Sequence, residues 1–450
     1  MPHLTRPRDF RPFIHYAPPG GWINDPNGLC WDGAQYHLFA QHHPDSLDWG
    51  PMHWIHAVSS DLYRWKDIGI ALAPDPLGMI FSGSAVKDEN GRLVCMFTHH
   101  GGTRDNPCEQ QSIAYSADGA RFEKFDGNPV IPNPGLPDFR DPRVLPNPFL
   151  GGWSAVIAAG DEARIYHSPD LIHWRQTGAF GKTQNQMGGV FECPDLFPLR
   201  APDGSTIWAL TVSVTQPRET GGSRAQVFLG EFDGLTFRET IPRDAPVMLD
   251  NGYDNYAQVT FSHADPPVAL GWASSWTYAN QLPTADYRGQ MTIAKELSIV
   301  RTRFGPRIAS KPVLPPLGKA SPVEGKTALP GELFALDIDS DKPFEATLSN
   351  AKGEAFSFGV KNGAFYTDRA RSGITGFSPY FSKPPYVRTE TPRLFDPDSP
   401  IRMRLVFDRC IAELFSDGGA YTATVLVFPT IPYDAIELRG ADGTLYTLNP

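Results

Sequence analysis

Residues 59–65 read SSDLYRW, and the same shape returns as SADGARF (116–122), SPDLIHW (168–174) and EFDGLTF (231–237). Each copy is an aspartate, three residues and an aromatic, and each comes after a short strand-like run such as HWIHAVSS, WSAVIAAG or RAQVFLGEF. The aspartates Asp61, Asp118, Asp170 and Asp233 lie 57, 52 and 63 residues apart. A unit of this size, built of about four short antiparallel strands, cannot bury both faces alone, and such units stack radially as propeller blades. Four marked turns and an unmarked stretch from about 240 to 300 make five blades. Each marked turn is expected to join the last two strands of its blade, with its aromatic packed between blades.

The rest of the composition agrees with an all-β chain. Among 450 residues there are 42 glycines and 44 prolines, with no long helix-period segment between them. After MTIAKELSIVR the stretch RFGPRIASKPVLPPLGKASPVEGKTALPGE reads as a linker over 301–330. Alternation then returns over 331–450 in FEATLSN, IRMRLVFD, CIAELFS and YTATVLVF, a length suited to a β-sandwich. The organisation expected is thus a propeller over 1–300, a linker, and a C-terminal β-sandwich.

Charge and cysteine usage exclude several functions. The formal net charge of −10, with no basic run, argues against nucleic acid and anionic membrane as partners. The five cysteines (Cys30, Cys95, Cys108, Cys193, Cys410) are scattered, so neither a disulfide framework nor a zinc site is read from them. The N-terminus has no apolar run able to serve as a signal peptide, and no stretch is long and apolar enough to span a bilayer as a helix, so a cytoplasmic location is expected. Adjacent histidines at 42–43 and 99–100 point to opposite faces of a strand and do not chelate as pairs, so no metal is expected. FSGSA fails the Gly-x-Ser-x-Gly pattern of a serine nucleophile, and no Gly-rich phosphate loop precedes a helix.

Three acids remain: Asp25 in WINDPNG, Asp141 in FRDPRV and Glu192 in VFECPDLF, each with Pro one or two places later. Asp25-Pro-Asn-Gly also spells a reverse turn, here expected to end the innermost strand of the first blade. Taken singly, the two aspartates read equally as turn formers and Glu192 as a structural carboxylate. Their spacings of 116 and 51 residues, close to two blade periods and one, place them in phase on the first, third and fourth blades, facing one funnel. Converging carboxylates suit glycoside hydrolysis, in which one acid attacks the anomeric carbon and another protonates the leaving oxygen. Two neighbouring aspartates, with Phe191 and Cys193 on its flanks, are expected to push Glu192 toward its neutral form.

WINDPNG, FSGSAV, FRDP and ECPDLF, in this order and at these separations, resemble glycoside hydrolase family 32, the invertase, inulinase and levanase group. The resemblance extends through HLFAQHHPDSLDWGPMHWIHAVSSDLYRW and LGWASSWTYANQLPTADYRGQMTIAKELSI, and reaches the second domain at DRCIAELFSDGG. It implies a five-bladed propeller with a β-sandwich, no cofactor, and retaining double displacement on β-linked fructofuranosyl units of sucrose or fructans. Carried onto matching positions, it makes Asp25 the nucleophile, Glu192 the acid and base, and Asp141 the stabiliser of the transition state. It places Asn24, Gln41, Trp49, Phe81, Ser82, Arg140 and Trp276 around the sugar, with Asp254 on a hydroxyl and Arg140 helping to keep Asp141 ionised. Trp22 reads equally as an apolar wall of the site and as a blade-packing residue. Two departures are Ile23 for the usual Met and Asn255 for the usual Phe, the second expected to bear on the leaving group. A fructosyltransferase shares all these residues, and a non-catalytic sugar-binding protein would have lost one of the acids.

Overall fold

The computed structural model describes residues 8–103, 106–215 and 221–450. Five antiparallel sheets form the propeller, each led by the strand nearest the axis: Gly21–Trp31, Met79–Lys87, Phe139–Pro146, Val190–Arg200 and Tyr256–Thr260 for blades 1 to 5. Each blade runs through four sequential strands, with sheet order equal to chain order. The ring closes where Tyr287–Arg288, in the connection between the second and third strands of blade 5, pairs in parallel with Gly21 and Trp22 of blade 1.

The four marked turns fall where expected, between the third and fourth strands of blades 1 to 4. In every copy the aspartate Oδ1 accepts the backbone N–H groups two and three residues on: Tyr63 and Arg64, Ala120 and Arg121, Ile172 and His173, Leu235 and Thr236. This side-chain closure is why Asp recurs there. The aromatic four residues on turns inward. Trp65 packs between blades 5 and 1, Phe122 between 1 and 2, Trp174 between 2 and 3, and Phe237 between 3 and 4. Blade 5 has no such turn. Its corner at Thr302–Gly305 leaves Phe304 largely exposed.

The stretch read as a linker over 301–330 is mostly strand. Gly305–Pro312 is the outer strand of blade 5, while Leu317–Pro322 and Lys326–Ala328 pair within the second domain, so the crossing occupies only 313–316. All three strands lie at the edges of their sheets. Edge strands tolerate Pro, Gly and Lys because one side of the ladder makes no bonds, and that composition obscured them in the sequence. The second domain is a sandwich of two six-stranded sheets around an apolar core that includes Phe334, Leu336, Phe356, Phe358, Leu405 and Leu414.

The propeller and sandwich are joined by buried charge. Lys295 of blade 5 meets Glu413 at 2.7 Å, His15 sits between Asp408 (2.8 Å) and Glu413 (3.2 Å), and Asp254 meets Arg369 at 2.6 Å. A buried ion pair contributes little net stability against apolar packing, but removing one partner costs about 3–5 kcal/mol, which makes this interface specific in orientation.

Candidate active site

The strand nearest the axis in every blade breaks its pairing register at the same height. The breaks span Asn24–Asp25 in blade 1, Phe81–Ser82 in blade 2, Asp141–Pro142 in blade 3, Cys193–Pro194 in blade 4 and Ala257–Gln258 in blade 5. A bulge inserts an unpaired residue and re-aims its side chain, which is how five strands turn chemistry toward one axis. In blades 1, 3 and 4 a proline (Pro26, Pro142, Pro194) accompanies the break, where it has no N–H to leave unpaired. Asp141, Cys193 and Ala257 take positive φ of 63°, 44° and 52°, a sparsely populated region for residues with a Cβ. The DPNG segment is therefore no strand-ending turn. It lies within one strand that runs on to Trp31, with breaks on both sides of Pro26–Asn27. Glu192 stands one residue before its bulge, and Cys193 holds the position in blade 4 that Asp141 holds in blade 3.

These bulges surround a cavity of about 430 Å³. Ten of the eleven residues expected at the site line it: Asn24, Asp25, Gln41, Trp49, Phe81, Ser82, Arg140, Asp141, Glu192 and Trp276. Asp25 and Asp141 form the buried base. Asp25 Oδ2 accepts from Ser82 Oγ (2.8 Å) and from Cys193 Sγ (3.4 Å), whereas its Oδ1 is buried with no hydrogen-bond partner among the described residues. Asp141 Oδ2 accepts the Cys193 backbone N–H (2.8 Å) and lies 3.6 Å from the same thiol. Below them the axis holds a void of only about 10 Å³, too small for a sugar ring, beside the buried Arg143–Asp195 pair (2.7 Å). Glu192 stands on the wall with its side chain 23% exposed, bonded by Arg140 Nη2 (3.1 Å), Thr215 Oγ1 (2.9 Å) and the Tyr256 hydroxyl.

Burial dominates the electrostatics of the base. It raises Asp25, with the nearby Asn24 amide and the Ser82 hydroxyl opposing and the charge of Glu192 adding. It pushes Asp141 up to about 7 against the pull of Arg140, with Asp25 and Glu192 adding to the rise. Arg140 does favour the ionised form of Asp141, as expected, but burial outweighs it, and the guanidinium makes its contacts with Glu192, Glu109 and Asp138, at 3.1, 3.1 and 2.8 Å. The flanks expected to cover Glu192 do not. Phe191 is buried in the core of blades 3 and 4, and the Cys193 thiol faces the two aspartates.

Asp254 is the one expected residue not in the cavity. It is buried at the domain interface, accepting from Arg369 Nη1 (2.6 Å), the Leu426 N–H (2.8 Å) and the Tyr278 hydroxyl. Two residues on, it is Tyr256 that reaches the site: Asp254 lies ahead of the innermost strand of blade 5, whereas Tyr256 is its first residue, paired with Trp272 just before the bulge, and donates its hydroxyl to Glu192. Asn255 is buried against Asp250 and Gln258 and does not touch the cavity, so it does not bear directly on a leaving group. Trp22 is a packing residue. It lies under Trp276, rings 5.9 Å apart and 25° from parallel, and its N–H holds Asn24 Oδ1 at 2.7 Å. Five further lining residues were not expected from the sequence: Pro137, Asp138, Thr215, Glu109 and His100, the last stacked on Phe81 with centroids 4.2 Å apart. Glu109 in CEQQ resembles any strand carboxylate until the fold brings it to Arg140.

A five-bladed propeller whose axial well ends on two buried aspartates, with a glutamate on the wall, defines a carboxylate-dependent glycoside hydrolase. Residues 15–312 match the Glycosyl hydrolases family 32 N-terminal domain and residues 325–448 its C-terminal domain, so the chain belongs to glycoside hydrolase family 32 and is a hydrolase of the β-fructofuranosidase type. It is 37% identical to a levanase of Bacillus subtilis over 474 residues, covering 97% of this chain and 69% of that protein. The crystal structure of an exo-inulinase from Aspergillus awamori superimposes with a TM-score of 0.87 at 29% identity, covering 98% of this chain and 99% of the other. A fructofuranosidase from Schwanniomyces occidentalis complexed with fructose gives 0.86 at 26% identity, covering 98% of each.

Proposed function

We propose that the protein removes single fructosyl units from the non-reducing ends of sucrose and β-fructans by double displacement. The observation that carries this reading is the meeting of Asp25, Asp141 and Glu192 in one cavity, above an axis that leaves almost no further space. A closed well admits a chain end and excludes a chain passing through, which favours exo action. The terminal fructofuranose sits on Asp25 and Asp141, with Trp276 and Phe81 offering apolar faces to its C–H surface and Gln41 and Asn24 its polar partners.

The Asp25 carboxylate attacks the anomeric carbon as the bond to the leaving oxygen breaks and Glu192 gives that oxygen its proton. Asp141 holds ring hydroxyls and bears on the developing positive charge. Water then gives a proton to the Glu192 carboxylate and attacks the same carbon from the side the leaving group left, freeing Asp25 and retaining configuration. Incubation with sucrose, inulin and levan tests this: fructose appears as the first product, and NMR of the nascent sugar shows the β-anomer. Accumulation of internal oligosaccharides or of the α-anomer would overturn the reading. For location we propose the cytoplasm, a reducing compartment in keeping with five free cysteines; cell fractionation tests it.

A further inference from the structure

Arg140 presents a guanidinium to Glu192 at 3.1 Å, a poor neighbour for a group that must carry a proton to the leaving oxygen, because a cation in contact favours the carboxylate. The other end of the same guanidinium is held by two acids. Its Nη1 donates to both oxygens of Glu109 (3.1 Å each) and to Asp138 Oδ1 (2.8 Å). Glu109 is buried on the third strand of blade 2, where no motif announces it, and is held by the Phe139 N–H at 2.7 Å and by His100 Nδ1 at 3.2 Å. Burial would raise this carboxyl, but His100, Arg140 and the Phe139 amide hold it below the usual glutamate range, so it is an anion.

We propose that Glu109 is a positioning residue for the acid–base step: with Asp138 it holds and electrically balances Arg140, so that Arg140 can orient Glu192 without stripping its proton. Among the described residues the titratable and charged groups facing Glu192 are Arg140 from blade 3, Tyr256 from blade 5, Asp25 and Asp141 from the base, and the neighbouring Cys193. Those facing Glu109 are His100 and Arg140. Arg140 stays protonated throughout: the proton passes from Glu192 to the leaving oxygen and returns to Glu192 from water. The removal of Glu109 charge leaves the cation shared between Asp138 and Glu192 alone, and Glu192 then gives up its proton at lower pH.

This inference rests on Glu192 being the acid, and the experiment separates the two. The pH dependence of kcat/KM on sucrose is measured for the wild type and for Glu109→Gln, Glu109→Asp and Asp138→Asn. Glu109→Gln keeps the shape and the acceptor oxygen but loses the charge, and its basic limb is expected to move to lower pH by on the order of one unit. Asp138→Asn moves it the same way by less, since that side chain is 33% exposed and screened by solvent. Glu109→Asp, which keeps the charge, restores at least half of the shift. A basic limb in Glu109→Gln that coincides with the wild type or moves to higher pH overturns the proposal, however far kcat falls, because a purely structural role lowers the rate without moving the limb. Should Glu109→Gln not fold, the direction of the Asp138→Asn limb decides by the same criterion. A wild-type protein that releases no fructose at any pH refutes the function itself and leaves no limb to compare.

Discussion

Asp141→Asn is expected to make the protein more stable while nearly abolishing turnover. Folding carries this carboxyl from its ordinary 3.8 to about 7, chiefly by burial and further by the charges of Asp25 and Glu192. Its folded value lies above its unfolded value, so between about pH 4 and pH 7 the folded state binds the extra proton, and stability falls as pH rises through that window. At 1.36 kcal/mol per pH unit the penalty at neutral pH is on the order of 4 kcal/mol, an upper bound because the three acids titrate together. The amide oxygen can still accept the Cys193 N–H, and asparagine is among the residues that best tolerate the positive φ at 141, so little is lost in exchange. A net gain of about 1–3 kcal/mol at pH 7.5, or roughly 2–5 °C in melting temperature, should shrink toward zero at pH 4, where Asp141 is already neutral. Thermal melts of both proteins at pH 4, 5.5 and 7.5 measure this, and kcat on sucrose should fall on the order of a thousandfold. A stability difference that does not change with pH, or a variant less stable than wild type at pH 7.5, would refute the assignment of burial as the dominant influence on Asp141.

Asp25→Ala removes the attacking oxygen, so kcat on sucrose should drop by about 10⁴-fold or more while the protein stays folded by circular dichroism; turnover within tenfold of wild type would sink the nucleophile assignment. Burial alone would lower the His15 imidazole, but Asp408 and Glu413 carry it up to about 9. Its stabilisation is full below the unfolded value of 6.5 and is lost as pH rises through 9, so the melting temperature should decline across that window, and His15→Gln, costing about 3 kcal/mol or more at pH 6, should flatten the decline. Asp254→Ala leaves the Arg369 charge buried and unpaired, so it should cost about 3–5 kcal/mol in denaturant unfolding while KM for sucrose stays within about twofold; a large KM rise without loss of stability would return Asp254 to the sugar.

The site was legible to the extent that its signals were local. An acid, a proline and their distance from the next acid are all written within a few residues and a blade count, which is enough to bring Asp25, Asp141 and Glu192 to one funnel, and all three line the cavity. Arg140 was legible as part of a motif, but its direction was not: adjacency to Asp141 suggested a pair, whereas the bulge sends the two side chains apart and gives Arg140 to Glu192 and Glu109. Tyr256 and Asp254 were exchanged for a related reason, since Asp254 lies ahead of the strand against Arg369 of the second domain while Tyr256 opens the strand beside Glu192.

The sequence by itself determined the blade count, the fold class and the three acids. An Asp that closes its own turn and an aromatic four residues later depend only on neighbours in the chain, and they repeat with the unit. Tertiary structure alone decided what each acid feels. Ring closure and the five aligned bulges bury Asp25 and Asp141 together over a closed axis, leave Glu192 on the wall against Arg140, and draw Asp254 out of the site into the seam with the sandwich. Those outcomes follow from desolvation and from charges contributed by other blades and the second domain, which no local pattern records.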